Sequence, residues 1–129
     1  MMTTRVVTVD MDDRLTVVKE ILDHGVFHHL LVVEDNQLQG IISEHDLLRC
    51  LSPFLGTDAE STRDTATINQ RAHQIMTRSP LVIAPQCTVS DALMIMLNNN
   101  IGCLPVLEGG EIKGIFTWRD GVRALLENR

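Results

Sequence analysis

With 129 residues, 44% of them apolar, the chain has enough material for one compact domain and a sizeable core. A net charge of −6 and an aromatic content of 3% argue against a basic face for nucleic acid. No apolar run approaches the roughly 20 residues that span a bilayer, and no long apolar stretch follows Met1-Met2-Thr3-Thr4-Arg5 to make a signal peptide. The three cysteines, Cys50, Cys87 and Cys103, are odd in number and widely spaced. They read as reduced thiols of a cytoplasmic protein, not as a disulfide frame or a metal clip.

The β-branched run Val6-Val7-Thr8-Val9 opens a first strand. A helix follows, with Leu15, Val18, Ile21 and Leu22 on one face and Gly25 as its stop. Leu30 to Val33 is an apolar strand. Glu34-Asp35-Asn36-Gln37 turns it into a returning strand, Leu38 to Ile42. Ser43 starts a helix through Leu47, Leu48 and Leu51, which Pro53 ends. The polar stretch 56–73 is a connector, and Ile68, Ala72, Ile75 and Met76 give its second half helical spacing.

The order then repeats. Pro80 to Ile83 is a strand, Thr88-Val89-Ser90-Asp91 a capping-box helix start, and Ala92, Leu93, Ile95 and Met96 the helix face. Leu104 to Leu107 and Ile112 to Phe116 are strands joined by Gly109-Gly110, and a helix begins after Thr117. Residues 9–51 match 83–125 without a gap, with nine identical positions, among them Leu30/Leu104, Gly40/Gly114 and Asp46/Asp120. Half-units this small cannot each bury a full apolar face, so 1–55 and 74–129 are expected to pack on each other. The charge has diverged: residues 1–55 carry four Lys/Arg against nine Asp/Glu, whereas 74–129 carry five of each.

The organising motif is Gly40-Ile41-Ile42-Ser43-Glu44-His45-Asp46 and its copy Gly114-Ile115-Phe116-Thr117-Trp118-Arg119-Asp120, offset by 74 residues. A strand ending in Ser/Thr-x-x-Asp and running into a helix puts a hydroxyl and a carboxylate on one helix N-terminus. That pair can cap the helix, hold a polar ligand, or do both. Trp118 can stack on a base or simply cover the helix start. His24, His28 and His29 lack the partners a metal site needs. Met94 and Met96 serve a core or an interface.

Two β-α-β-β-α copies, each ending in G-h-h-(S/T)-x-x-D (h, apolar), together with Leu104-Pro105-Val106, resemble a pair of CBS (cystathionine beta-synthase) domains, the Bateman module. The resemblance implies an α/β (α+β) fold of tandem repeats packed with pseudo-twofold symmetry. It implies a regulatory role, with adenosine ligands such as AMP, ADP, ATP or S-adenosylmethionine held in clefts between the copies, and a homodimer. Carried over by position, the ribose-binding carboxylates are Asp46 and Asp120, and the neighbouring hydroxyls Ser43 and Thr117. His28 and His29 take the place of phosphate-binding basic residues, which Gly102 and Cys103 do not match in the second copy. His45 and Arg119 add positive charge, and Pro80, Leu81, Val82, Val6 and Val7 are expected around adenine.

No Ser-His-Asp or Cys-His grouping and no phosphate-loop fingerprint occurs, so an enzyme is not expected. The reading is a sensor that requires no cofactor and acts in trans on an unnamed effector protein, away from nucleic acid and membranes. The competing reading is a ligand-free dimerisation or protein-interaction module with vestigial clefts.

Overall fold

The computed structural model describes residues 2–4, 6–24, 28–50 and 70–127. Gly25, Leu51, Pro53 and the connector up to residue 69 lie outside the described residues. The chain divides into two compact units: Val7–Ser79, and Pro80–Arg129 together with Met1–Val6.

The first unit runs β1 (Thr8–Asp10), α1 (Leu15–His24), β2 (His29–Glu34), β3 (Gln37–Ser43), α2 (Glu44–Cys50), α3 (Ala72–Ile75) and β4 (Thr77–Arg78). Its sheet order is β1-β2-β3-β4, with β1 parallel to β2 and the other pairs antiparallel. Asp35 and Asn36 turn the β2–β3 hairpin at φ 51° and 63°. Such a left-handed pair matches the twist of the strands, and Asp and Asn tolerate it better than most residues. Leu15, Val18 and Leu22 are buried at helical spacing, and they join Leu30, Val32, Ile42, Ala72 and Met76 in one core.

The second unit holds α4 (Val89–Asn99), β5 (Cys103–Glu108), β6 (Glu111–Thr117) and α5 (Trp118–Glu127). Gly109 and Gly110, at φ 59° and 83°, turn the β5–β6 hairpin. The Thr88 hydroxyl accepts the Asp91 N–H at 3.1 Å and caps α4. Ala92, Met96, Leu104, Val106 and Phe116 form the core, whereas Met94 points outward. The strand expected at Pro80–Ile83 reduces to a single parallel bridge, Ile83 to Val106. Ser79 bends the chain at φ 48°, and Pro80 has no N–H to give to a ladder. The strand expected from Val6 begins at Thr8.

Each unit is completed by a short segment from the opposite repeat. Thr77 pairs with Ile41 in the first unit and Thr3 with Ile115 in the second, at equivalent positions of the two copies. This explains the paired glycines. A Cβ on Gly40 would stand 2.8 Å from the Thr77 carbonyl oxygen, and one on Gly114 2.6 Å from that of Thr3.

Candidate functional site

In the first unit β3 delivers Ser43 to the start of α2. The Ser43 N–H donates to Asp46 Oδ2 and the Asp46 N–H donates to Ser43 Oγ, both at 3.0 Å. This reciprocal pair is a capping box with Asp in place of Glu. Arg49 Nη2 donates to the other carboxylate oxygen, Asp46 Oδ1, at 2.6 Å. Burial alone would raise the Asp46 pKa, but the Ser43 N–H and hydroxyl, with Arg49, hold it below the ordinary value.

Around that helix start His28, His29, Ser43, Glu44, His45 and Leu48 line an open hollow of about 330 Å³. Four predicted site residues therefore meet, while Asp46 does not line the hollow. Glu44 was not predicted, and it matters: its Oε2 lies 2.8 Å from His28 Nδ1, and its N–H donates to the His28 carbonyl at 2.8 Å. Burial, then the neighbouring His28, lowers the His29 pKa against the opposing pull of Asp46 and Glu44.

The second unit repeats the helix start with different partners. The Thr117 N–H donates to Asp120 Oδ2 at 3.0 Å, and the Asp120 N–H to Thr117 Oγ1 at 3.4 Å. Here the extra donor is Thr3, whose hydroxyl lies 2.9 and 3.1 Å from the two Asp120 oxygens. Asp120 is 6% exposed and is the one buried charged side chain among the described residues. Burial, followed by the Asp120 charge, pushes the adjacent Cys103 thiol up to about 12.

Positions 28 and 44 correspond to Gly102 and Trp118, so the His–Glu contact of one copy becomes an indole over a glycine in the other. A Cβ on Gly102 would lie 3.3 Å from Trp118 Cδ1, and the Trp118 backbone N–H donates to the Gly102 carbonyl at 3.4 Å. Arg119 faces along α5. It lies with Trp118, Val122, Arg123, Leu126 and Glu127 along a hollow of about 430 Å³ on α5.

Of the apolar residues expected around adenine, Leu81 and Val82 are exposed and Pro80 is half-buried. Val6 is half-buried, and Val7 packs against the first unit's core. Thr3 was missed, although Met2-Thr3 recurs as Met76-Thr77 at the repeat offset. Among the described residues no group of three or more His, Cys, Asp or Glu side chains could hold a metal. No described helix is long and apolar enough to cross a membrane.

Fold and helix starts together define a tandem-repeat α/β module with one hydroxyl–carboxylate pair per copy. The family model for the CBS domain matches residues 1–53 and 72–127, and the chain belongs to that family. It is 32% identical over 123 residues to a CBS domain-containing protein of Dictyostelium discoideum, covering 93% of this chain and 84% of that protein. It is 33% identical over 110 residues to an uncharacterised protein of Acidianus ambivalens, covering 84% of this chain but 60% of that one. Among solved structures it is similar to CBSX2 in complex with AMP, with 30% identity and a TM-score of 0.80 over 98% of this chain and 93% of the other.

Proposed function

We propose that this chain is a regulatory, non-enzymatic cytoplasmic module that binds an adenosine ligand and passes its occupancy in trans to an effector protein, as a homodimer. One observation carries the reading: the same hydroxyl–carboxylate helix start is built in both units. The likeness to a structure holding AMP supports it. A ribose diol can donate two hydrogen bonds to Asp46 or Asp120, while the Ser43 and Thr117 hydroxyls at the helix starts suit a phosphate. His28, His29 and His45 offer imidazole nitrogens to a phosphate in the first copy. Trp118, Leu81 and Val82 offer exposed apolar surface for a base in the second.

Either carboxylate must exchange a partner to bind, Arg49 at Asp46 or Thr3 at Asp120. A ligand can therefore shift a population by its differential affinity for the open and self-bonded arrangements, a coupling of about 1–3 kcal/mol in typical cases. The exposed Met94 and Leu97 on α4, and Val122, Leu125 and Leu126 on α5, favour a protein contact and supply the second reading, a ligand-free interaction module. Thermal unfolding of ligand-free protein with AMP, ADP, ATP, S-adenosylmethionine and NADH separates the two. Binding adds about 2.7 kcal/mol at a hundred times the dissociation constant. No shift with any of them leaves the interaction module.

A further inference from the structure

Three imidazoles, His28, His29 and His45, share the hollow at the start of α2 with one carboxylate, that of Glu44, and with Ser43 and Leu48. Asp46 stays outside it, with Arg49 on its carboxylate at 2.6 Å. Glu44 is fixed in place twice: its N–H donates to the His28 carbonyl, and its Oε2 lies against His28 Nδ1, both at 2.8 Å. With neutral imidazoles the lining carries one negative charge and repels an anion; with all three protonated it carries two positive charges. Imidazole is the side chain whose charge changes most readily near neutral pH.

The deciding ring is that of His29. It is the most enclosed of the three, half-buried at the first residue of β2 opposite Ser43, while His28 and His45 are exposed. Burial and then His28 favour its neutral form, and Asp46 and Glu44 pull the other way. An anion in the hollow puts further negative charge beside this ring and so favours the protonated form. Proton and anion then strengthen each other's binding by the same factor. The second unit is built differently. Positions 28, 29, 44 and 45 correspond to Gly102, Cys103, Trp118 and Arg119. No imidazole stands at any of them, and the Cys103 thiol, pushed up to about 12, stays protonated.

We infer that the first unit's hollow takes a phosphate dianion together with a proton, so that mild acidification switches on adenosine-phosphate binding in the first unit and leaves the second unaffected. This rests on the proposed function only for the adenosine that carries the phosphate. His29 accepts the proton, His28 and His45 donate to the anion from either side, and Glu44 excludes anions at higher pH.

Sulfate is the probe for the hollow because it stays a dianion across the range used, whereas a phosphate monoester itself titrates near pH 6. Calorimetry in two buffers of different ionisation heat counts the protons taken up. Sulfate binding should take up about one proton near pH 7, and its affinity should rise about tenfold between about pH 8 and about pH 6. Nuclear magnetic resonance at matched ionic strength should show sulfate moving the His29 titration to higher pH. Glu44→Gln should raise the sulfate affinity at about pH 8, and His29→Gln should remove the proton uptake. Sulfate that binds without a proton, or that leaves His29 unmoved at every pH, overturns the inference. AMP and adenosine test the nucleotide reading separately. If they bind but sulfate brings no proton, the sensor stands and the switch falls. If sulfate brings a proton but neither AMP nor adenosine binds, the switch stands and the adenosine ligand falls.

Discussion

The two aspartates occupy equivalent positions but are bonded differently, and their variants should differ accordingly. Asp120 is buried and receives the Thr3 hydroxyl, so Thr3→Val leaves a buried carboxylate short of a donor. The cost should be about 1–3 kcal/mol in urea unfolding. The same change removes the group that a ribose diol must displace, so calorimetry should show AMP binding the second unit more tightly. Loss of both stability and AMP binding would place Thr3 against the ligand instead. His29 sets a pH dependence. Its folded pKa lies below the unfolded value of 6.5, so the unfolded chain takes up the proton first. The stability this contributes is fully present above 6.5 and is lost as pH falls through the folded value. His28, Glu44 and Asp46 face the same ring, with His28 lowering its pKa and the two acids raising it. Stability should therefore fall as the pH drops below 6.5, and His29→Gln should flatten that slope. Asp46 adds acid sensitivity of the same sign, but in the separate carboxylate range: its pKa is lowered from 3.8.

At the scale of elements, the paired glycines mark where a segment of one repeat lies on the returning strand of the other. Gly114→Ala drives a Cβ toward the Thr3 carbonyl, a backbone atom that cannot rotate away. It should cost about 1–3 kcal/mol, and the Ile115 amide, now paired with the Thr3 carbonyl at 2.9 Å, should exchange faster. Gly121→Ala is the contrasting case. The added carbon meets the end of the Leu93 side chain, which can change rotamer, so the loss should stay within about 1 kcal/mol. Position 121 corresponds to Leu47, buried in the first unit. The second copy thus has a small residue where the first has a large one, and Leu93 covers the gap. Pairs of this kind escape a reading that scores each helix separately, because the compensation lies on a neighbouring helix.

For the whole molecule, what could be read in advance was whatever depends on neighbours in sequence. The strand and helix order, both two-residue hairpin turns and the Ser43–Asp46 and Thr117–Asp120 pairs all follow from spacing of two to four residues. The Arg49 contact lay within the same range but was not anticipated. What lay hidden depends on residues far apart in the chain: Thr3 on Asp120, α3 on the β1–α1 loop, and the Glu44–His28 contact. Sequence repeats and compact units are consequently different cuts. The second unit needs Met2 and Thr3, which contribute two backbone hydrogen bonds with Ile115 at 2.8 and 2.9 Å and one donor to Asp120. Together these should be worth about 2–5 kcal/mol. Removing residues 1–5 should therefore strip hydrogen-exchange protection from 104–117 and expose Asp120, while 30–42 keep theirs, since their added strand comes from Thr77–Arg78. If protection falls first in 30–42, or equally in both hairpins, the exchange of terminal segments between repeats is not what holds these sheets.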